Sequence, residues 1–159
     1  FQQLSRLSES PLVMVRLHVD QSVRQTQLIL LEGKTFHWII RHPDEERHEQ
    51  TSVLWAQAVG EPSLLPQSTE ELVRLAADAM AAAFPTTSPP RILDFDVMRL
   101  ASAMLASKPG THQYRPISTS PFTNFFVAGA WTDTGWPANL ESAILSGHRC
   151  AEAISTRPS

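Results

Sequence analysis

FFVAGAWTDTGWPANLESAILSGHRCAEAI, residues 125–154, starts as an apolar run, passes through a loop and ends in a helical pattern. Residues 129–136 hold Gly129, Gly135, Trp131 and Trp136, in a chain with only 6 Gly and 4 Trp. Phe125–Ala128 reads as a short strand. A helix is expected from about Pro137 to Ser155, with the proline in its first turn and Leu140, Ala143, Ile144, Gly147, Ala151 and Ile154 forming one packed face. A strand, a glycine turn and a helix N-terminus together suit an anionic or electron-rich cofactor, because the first helical N–H groups lack partners and carry the positive end of the dipole. Gly129 would let the backbone approach such a ligand, and Thr132 and Thr134 offer hydroxyl donors.

Upstream, PLVMVRLHVD (11–20) alternates Val13, Val15, Leu17 and Val19 with Arg16, His18 and Asp20, a half-buried strand. TQLILLEGKTFHWII (26–40) reads as a hairpin around Glu32-Gly33-Lys34, RHPDEERHEQ (41–50) as a charged loop, and TSVLWAQAV (51–59) as a third strand paired antiparallel with the hairpin. In STEELVRLAADAMAAAF (68–84), Ser68 and Glu71 form a capping box. Leu72, Leu75, Ala76, Ala79, Met80 and Ala83 make the apolar stripe, and Pro85 is the stop. ILDFDVMRLASAML (92–105) reads as strand to about Leu100, and 108–124 as an extended connection. The order of elements predicts a mixed α+β unit.

At 159 residues with 42% hydrophobic and 18% charged positions, the chain has the composition of a soluble globular domain. A net charge of -3 gives no footprint for nucleic acid. No apolar run approaches the length of a membrane span and no signal-peptide pattern opens the chain, so a cytoplasmic location is expected. Cys150 alone allows neither an internal disulfide nor a cysteine-rich metal site, and the histidines lack partners at ligand spacing, so no metal is expected. There is no Gly-x-Ser-x-Gly elbow. Phe1 is not an initiator methionine and Phe1–Ser10 is weakly patterned, so the chain is expected to belong to something larger.

The opening string resembles the C-terminal flavin motif of the FAD-dependent amine oxidase and phytoene desaturase superfamily, most closely its carotenoid-desaturase-like and squalene-associated members. The matching residues are Ala128, Gly129, Trp131, Thr132, Thr134 to Ala138, Glu141, Ala143, Ser146 and Gly147. More weakly, PLVMVRLHVD is similar to that family's first substrate-domain strand, and the order of later elements agrees. The resemblance implies a largely antiparallel substrate-domain sheet with a packed helix over residues 1–107, then the C-terminal strand-loop-helix of an FAD-binding domain over 108–159. The N-terminal Rossmann unit, with its Gly-x-Gly-x-x-Gly, has no counterpart among glycines 33, 60, 110, 129, 135 and 147.

By that resemblance, Gly129, Ala130, Trp131, Thr134, Gly135, Trp136, Pro137, Ala138 and Leu140 face FAD in a complete parent, with the Leu140 backbone N–H at the flavin pyrimidine edge. The chain alone is expected to hold no FAD. Two departures stand out: Ala130 replaces an acidic residue, and Leu140 and Ser142 replace the Met and Gly of Met-Glu-Gly-Ala. Trp131 and Trp136 either flank the flavin or pack the loop. Trp38 and Trp55 either line an apolar substrate cavity or belong to the core. Glu141 reads as a residue of the helix N-terminus rather than a catalytic group. The implied function is part of an FAD-dependent oxidoreductase acting on an apolar, isoprenoid-like substrate, with no assignable catalytic acid or base. The alternative is a non-catalytic remnant or binding module for a hydrophobic ligand or partner chain. An N-terminal FAD-domain partner and a homo-oligomer joined through residues 122–155 are expected, because Phe125 to Val127 and the stripe from Leu140 to Ile154 would otherwise lack cover.

Overall fold

The alternation along PLVMVRLHVD produces the strand β1 (Glu9–Val19), with Val13, Val15, Leu17 and Val19 all buried. The computed structural model describes residues 3–23, 28–42, 50–84 and 90–156. It divides into two units, one of residues 10–103 and one of residues 1–9 with 104–159.

The first unit holds the sheet. With β2 (Leu28–Leu30), β3 (Trp38–Arg41), β4 (Ser52–Val59) and β5 (Ile92–Leu105), the strand order is β2-β3-β4-β1-β5. The β2-β3, β3-β4 and β1-β4 pairs are antiparallel, as expected for a hairpin joined by a third strand. The register aligns Val15, Ala56, Ile39 and Ile29 across four strands, all on one face. Against that face packs α1 (Thr69–Ala83) through the buried Leu72, Ala76, Ala79 and Met80, so the core lies between helix and sheet. Truncating a fully buried leucine such as Leu72 to alanine would cost about 2–5 kcal/mol.

The α1 cap is half of the expected box. Ser68 Oγ accepts the Glu71 amide at 3.2 Å, but the Glu71 carboxylate turns to Arg74, at 2.7 Å, instead of back to the cap. The Pro85 stop lies outside the described residues, as does most of the charged loop at 41–50.

One boundary differs from the sequence reading. β5 continues to Leu105 rather than ending near Leu100. Ala101 to Leu105 are good helix formers, but a strand that already has β1 as its neighbour gains ladder hydrogen bonds that local propensity does not match. Arg16 on β1 bridges to Asp94 and Asp96 on β5, with the Asp94 oxygen at 3.0 Å.

In the second unit, Lys108-Pro109-Gly110-Thr111 makes a turn that the Thr111 amide closes onto the Lys108 carbonyl at 3.1 Å. Gly110 takes φ 79° and ψ −4°, the glycine position of a type II turn. A 3-10 turn over Thr111–Tyr114 follows, and the Arg6 guanidinium stacks over the Tyr114 ring at 5.1 Å.

Two expectations fail in this unit. Phe125–Ala128 is not a strand: among the described residues it has a single bridge, Thr119 to Phe126, and one bonded neighbour cannot sustain a ladder. The last helix, α2, spans Leu140–Ser155 and starts later than Pro137, because the Asn139 side chain accepts the Ser142 amide at 2.9 Å and so takes the cap position. The apolar stripe of α2 lies uncovered within this chain, as the sequence reading expected where no partner is present. Leu140, Ile144 and Ile154 are 77%, 49% and 54% exposed, whereas Ser142 and Ser146 are fully buried.

Candidate functional site

The loop between Ala128 and α2 has no regular structure, so its backbone groups need partners from elsewhere. Two arginines supply them. Arg115 donates from Nη2 to the Ala130 carbonyl at 2.7 Å, from Nη1 to the Trp136 carbonyl at 2.5 Å and from Nε to the Trp131 carbonyl at 3.3 Å. Arg149 donates to the Asp133 carbonyl at 3.1 Å. The Asp133 amide in turn donates to the Pro116 carbonyl at 2.7 Å.

Beneath the loop runs a buried hydroxyl chain. The Trp136 amide donates to Thr134 Oγ1 at 3.3 Å, and that oxygen lies 2.6 Å from Ser142 Oγ. Ser142 Oγ donates to the Ala130 carbonyl at 3.1 Å and accepts from Arg115 Nη2 at 3.1 Å. With Ser142 giving its one proton to Ala130, Thr134 is the donor to Ser142. Ser146 completes the anchoring: it accepts the Gly129 amide at 2.8 Å and donates to the Ala143 carbonyl at 2.7 Å.

Gly129 has φ 141°, and a Cβ there would lie 2.5 Å from Trp131 Nε1. The space beside its α-carbon is therefore filled by the Trp131 indole rather than left open for a ligand. Thr132 is buried and bonds back to the Gly129 carbonyl at 2.9 Å, so neither its hydroxyl nor that of Thr134 faces outward. Gly135 has φ 82° and nothing near the position of a Cβ.

Beyond Gly135 the loop opens onto a cleft of about 530 Å³. Trp136, Pro137 and Ala138 line it together with Lys108, His112 and Arg115. Trp136 is 53% exposed. At the start of α2, the amides of Leu140 and Glu141 have no acceptor among the described residues, while Ser142 and Ala143 are capped by Asn139. Two free N–H groups at the positive end of a helix are suited to hydrogen-bond acceptors that carry or gain negative charge.

Trp38 and Trp55 belong to the other unit. The register puts Met14, Gln57, Trp38 and Leu30 in one row and Arg16, Trp55, Ile40 and Leu28 in the next, all on the sheet face opposite α1. Both tryptophans are half-buried, and His42 meets Trp55 edge-on at 5.9 Å. His18 Nε2, on the same face across from Val53, is buried without a hydrogen-bond partner among the described residues. The Arg16 guanidinium is raised further above its ordinary pKa, chiefly by its hydrogen bond with Asp96. Asp94 is held below the usual carboxylate range, chiefly by its hydrogen bond with Arg16.

With this geometry established, comparison with known proteins identifies the relatives. The profile of the flavin containing amine oxidoreductases matches residues 1–155. The chain belongs to that family. It is 24% identical to 15-cis-phytoene desaturase of Synechococcus elongatus, over 99% of this chain and 35% of the relative. It is 26% identical to the tomato (Solanum lycopersicum) chloroplastic/chromoplastic 15-cis-phytoene desaturase, over 97% of this chain and 28% of the relative. A crystal structure of a putative protoporphyrinogen oxidase from Exiguobacterium sp. 255-15 shares the fold, with a TM-score of 0.69 and 16% identity over 96% of this chain and 36% of that one. The chain thus spans about a third of the length of these relatives.

Arg115 and Asn139 escaped the sequence reading as members of the site, and Ser142 and Ser146 were read there only as motif positions, without their anchoring role. Asn139 carried a signal, standing three residues before Ser142 as a side-chain cap. Arg115 carried only a weak one, an arginine followed by Pro116 inside a connection otherwise rich in small polar residues. Among the described residues, no group of three or more His, Cys, Asp or Glu is placed to hold a metal ion, and no helix is long and apolar enough to cross a membrane.

Proposed function

We propose that the chain is the substrate-side and C-terminal flavin-receiving portion of an FAD-dependent oxidoreductase that desaturates an apolar, isoprenoid-like hydrocarbon. In this reading residues 1–107 belong to the substrate domain and 108–159 to the FAD domain. The observation that carries it is the open N-terminus of α2, where the Leu140 and Glu141 amides stay unpaired within a family match that runs to residue 155. The names of the relatives, phytoene and zeta-carotene desaturases, support the substrate class.

When bound, a flavin supplies the hydride-accepting chemistry. The chain's own contribution is positional and electrostatic. Leu140 N–H and the helix dipole favour negative charge at the start of α2, and Gly135, Trp136, Pro137 and Ala138 line the cleft. Gly129, Ala130, Trp131 and Thr134 support the loop from behind. Trp38 and Trp55 face the hydrocarbon, and the exposed Leu140, Ile144 and Ile154 are the face for an N-terminal FAD-binding partner. Desaturation takes a hydride from one carbon and a proton from its neighbour; the proton passes to water, since no side chain of this segment is assigned as its acceptor.

The test is expression of the whole coding sequence, including anything that precedes Phe1. The expected result is one flavin per chain, bleached anaerobically by a polyene hydrocarbon supplied in liposomes. A full-length product that binds no flavin, or a flavin that no hydrocarbon reduces, overturns the proposal.

A further inference from the structure

We infer that Arg115 is the positioning residue of the 130–136 loop: it turns the loop's carbonyls inward and so leaves the wall of Trp136 to Ala138 presented to the cleft. The inference rests on the reading of that loop as flavin-receiving.

The geometry is specific to a guanidinium. Arg115 spends donors on four acceptors from three separate stretches, the carbonyls of Ala130 and Trp131, the carbonyl of Trp136, and the hydroxyl of Ser142. A planar fork with N–H groups at fixed angles can serve these at once, whereas the ammonium of a lysine is a single point with a different reach. The fork also starts from a fixed place. Arg115 follows the 3-10 turn of Thr111–Tyr114, its amide bonds the His112 carbonyl at 3.1 Å, and Pro116 holds it extended at φ −72° and ψ 127°.

The partners are equally committed. Ser142 Oγ is shared by Arg115, Thr134 and the Ala130 carbonyl, and it is fully buried. A glycine at 142 would remove the link between Arg115 and α2. Among the described residues no carboxylate pairs with Arg115, and its half-buried guanidinium donates to loop carbonyls and the Ser142 hydroxyl. That gives the loop a strong reason to keep this shape.

The experiment uses Arg115→Gln, Arg115→Lys and Arg115→Ala. In the chain as it stands, amide exchange is followed at Asp133, which donates to the Pro116 carbonyl, at Trp136, which donates to Thr134 Oγ1, and in the interiors of α1 and α2. Exchange at the loop amides is expected to rise about tenfold or more in Arg115→Gln, the loss of charge-assisted bonds, with the helix interiors unchanged. Arg115→Lys should not restore protection, while free guanidinium, well below denaturing levels, should partly restore it in Arg115→Ala. Unchanged loop exchange in Arg115→Gln, or full protection in Arg115→Lys, overturns the inference. In the full-length protein, flavin affinity and the flavin absorption spectrum are read on the same variants. A loosened loop with flavin affinity and spectrum unaltered upholds Arg115 as the loop's positioning residue and rejects the flavin-receiving reading.

Discussion

Thr134 Oγ1 and Ser142 Oγ lie 2.6 Å apart, both in buried side chains, one in the loop and the other in the first turn of α2. This contact joins the loop to the helix without an apolar core. Removing either hydroxyl takes one buried hydrogen bond from the other, which keeps its remaining partners: the Trp136 amide at Thr134, and Arg115 and the Ala130 carbonyl at Ser142. Ser142→Ala and Thr134→Val should each destabilise the unit by about 1–3 kcal/mol. Because the two share one bond, the double variant should lose less than the sum of the singles. Denaturant titration of the four proteins measures the coupling; strict additivity would place the two hydroxyls in separate networks.

Gly129 should tolerate no side chain. Its φ of 141° is strained for an L-residue, and a Cβ would press into the Trp131 ring at 2.5 to 2.7 Å. Gly129→Ala must therefore move the indole or the backbone, at a cost of about 1–3 kcal/mol from conformation alone. A drop in the melting temperature together with a shift in tryptophan emission is expected. Gly135→Ala supplies the contrast: its φ of 82° brings strain, but apart from its chain neighbours no atom stands within 4 Å, so the Trp131 ring should stay in place.

The sheet unit should lose stability in acid, with Asp94 contributing. The Asp94 carboxyl is held below its ordinary range by Arg16. A folded-state pKa below the unfolded one stabilises the fold at all pH values above the unfolded value, near 3.9, and the contribution disappears as pH falls through the folded value. Asp94→Asn should thus be less stable than the parent at neutral pH and converge with it only as pH falls through the lowered folded-state value. Asp94 is 63% exposed, so added salt should narrow the neutral-pH gap. Unfolding midpoints across pH and salt decide the matter; a gap that persists unchanged into strong acid would contradict it.

Much of the sheet unit was legible because each element carries its own local signal. β1 alternates, β4 pairs with the hairpin as expected, and Ser68 caps α1. The end of β5 was not legible, because Ala101 to Leu105 favour helix locally and only the neighbouring β1 overrides that. The loop was visible as a motif, but its architecture was not. Arg115 reaches 15 to 27 residues ahead, mostly to backbone carbonyls, and carbonyls leave no trace in a side-chain pattern. For the same reason α2 was read by its apolar stripe, when its buried face is set by the hydrogen bonds of Ser142 and Ser146.

Ala130 stands where the family resemblance calls for an acidic residue, and its backbone is already fixed by Arg115 and Ser142. The chain has no Gly-x-Gly-x-x-Gly to receive a pyrophosphate, so the 159 residues alone should lose added FAD on gel filtration. In the full-length protein, Ala130→Asp adds one acceptor at a position held still. If that position faces the cofactor, a charge-assisted hydrogen bond of about 1.5–3 kcal/mol should tighten FAD about tenfold or more. The competing fate for the new carboxylate is Arg115, which lacks an acidic partner among the described residues and is already bonded to the Ala130 carbonyl. The two outcomes separate cleanly by combining flavin titration with thermal unfolding of the flavin-free protein. Tighter FAD with an unchanged apoprotein melting temperature places position 130 at the cofactor. A raised melting temperature with unchanged or weaker FAD shows the carboxylate turned inward to Arg115.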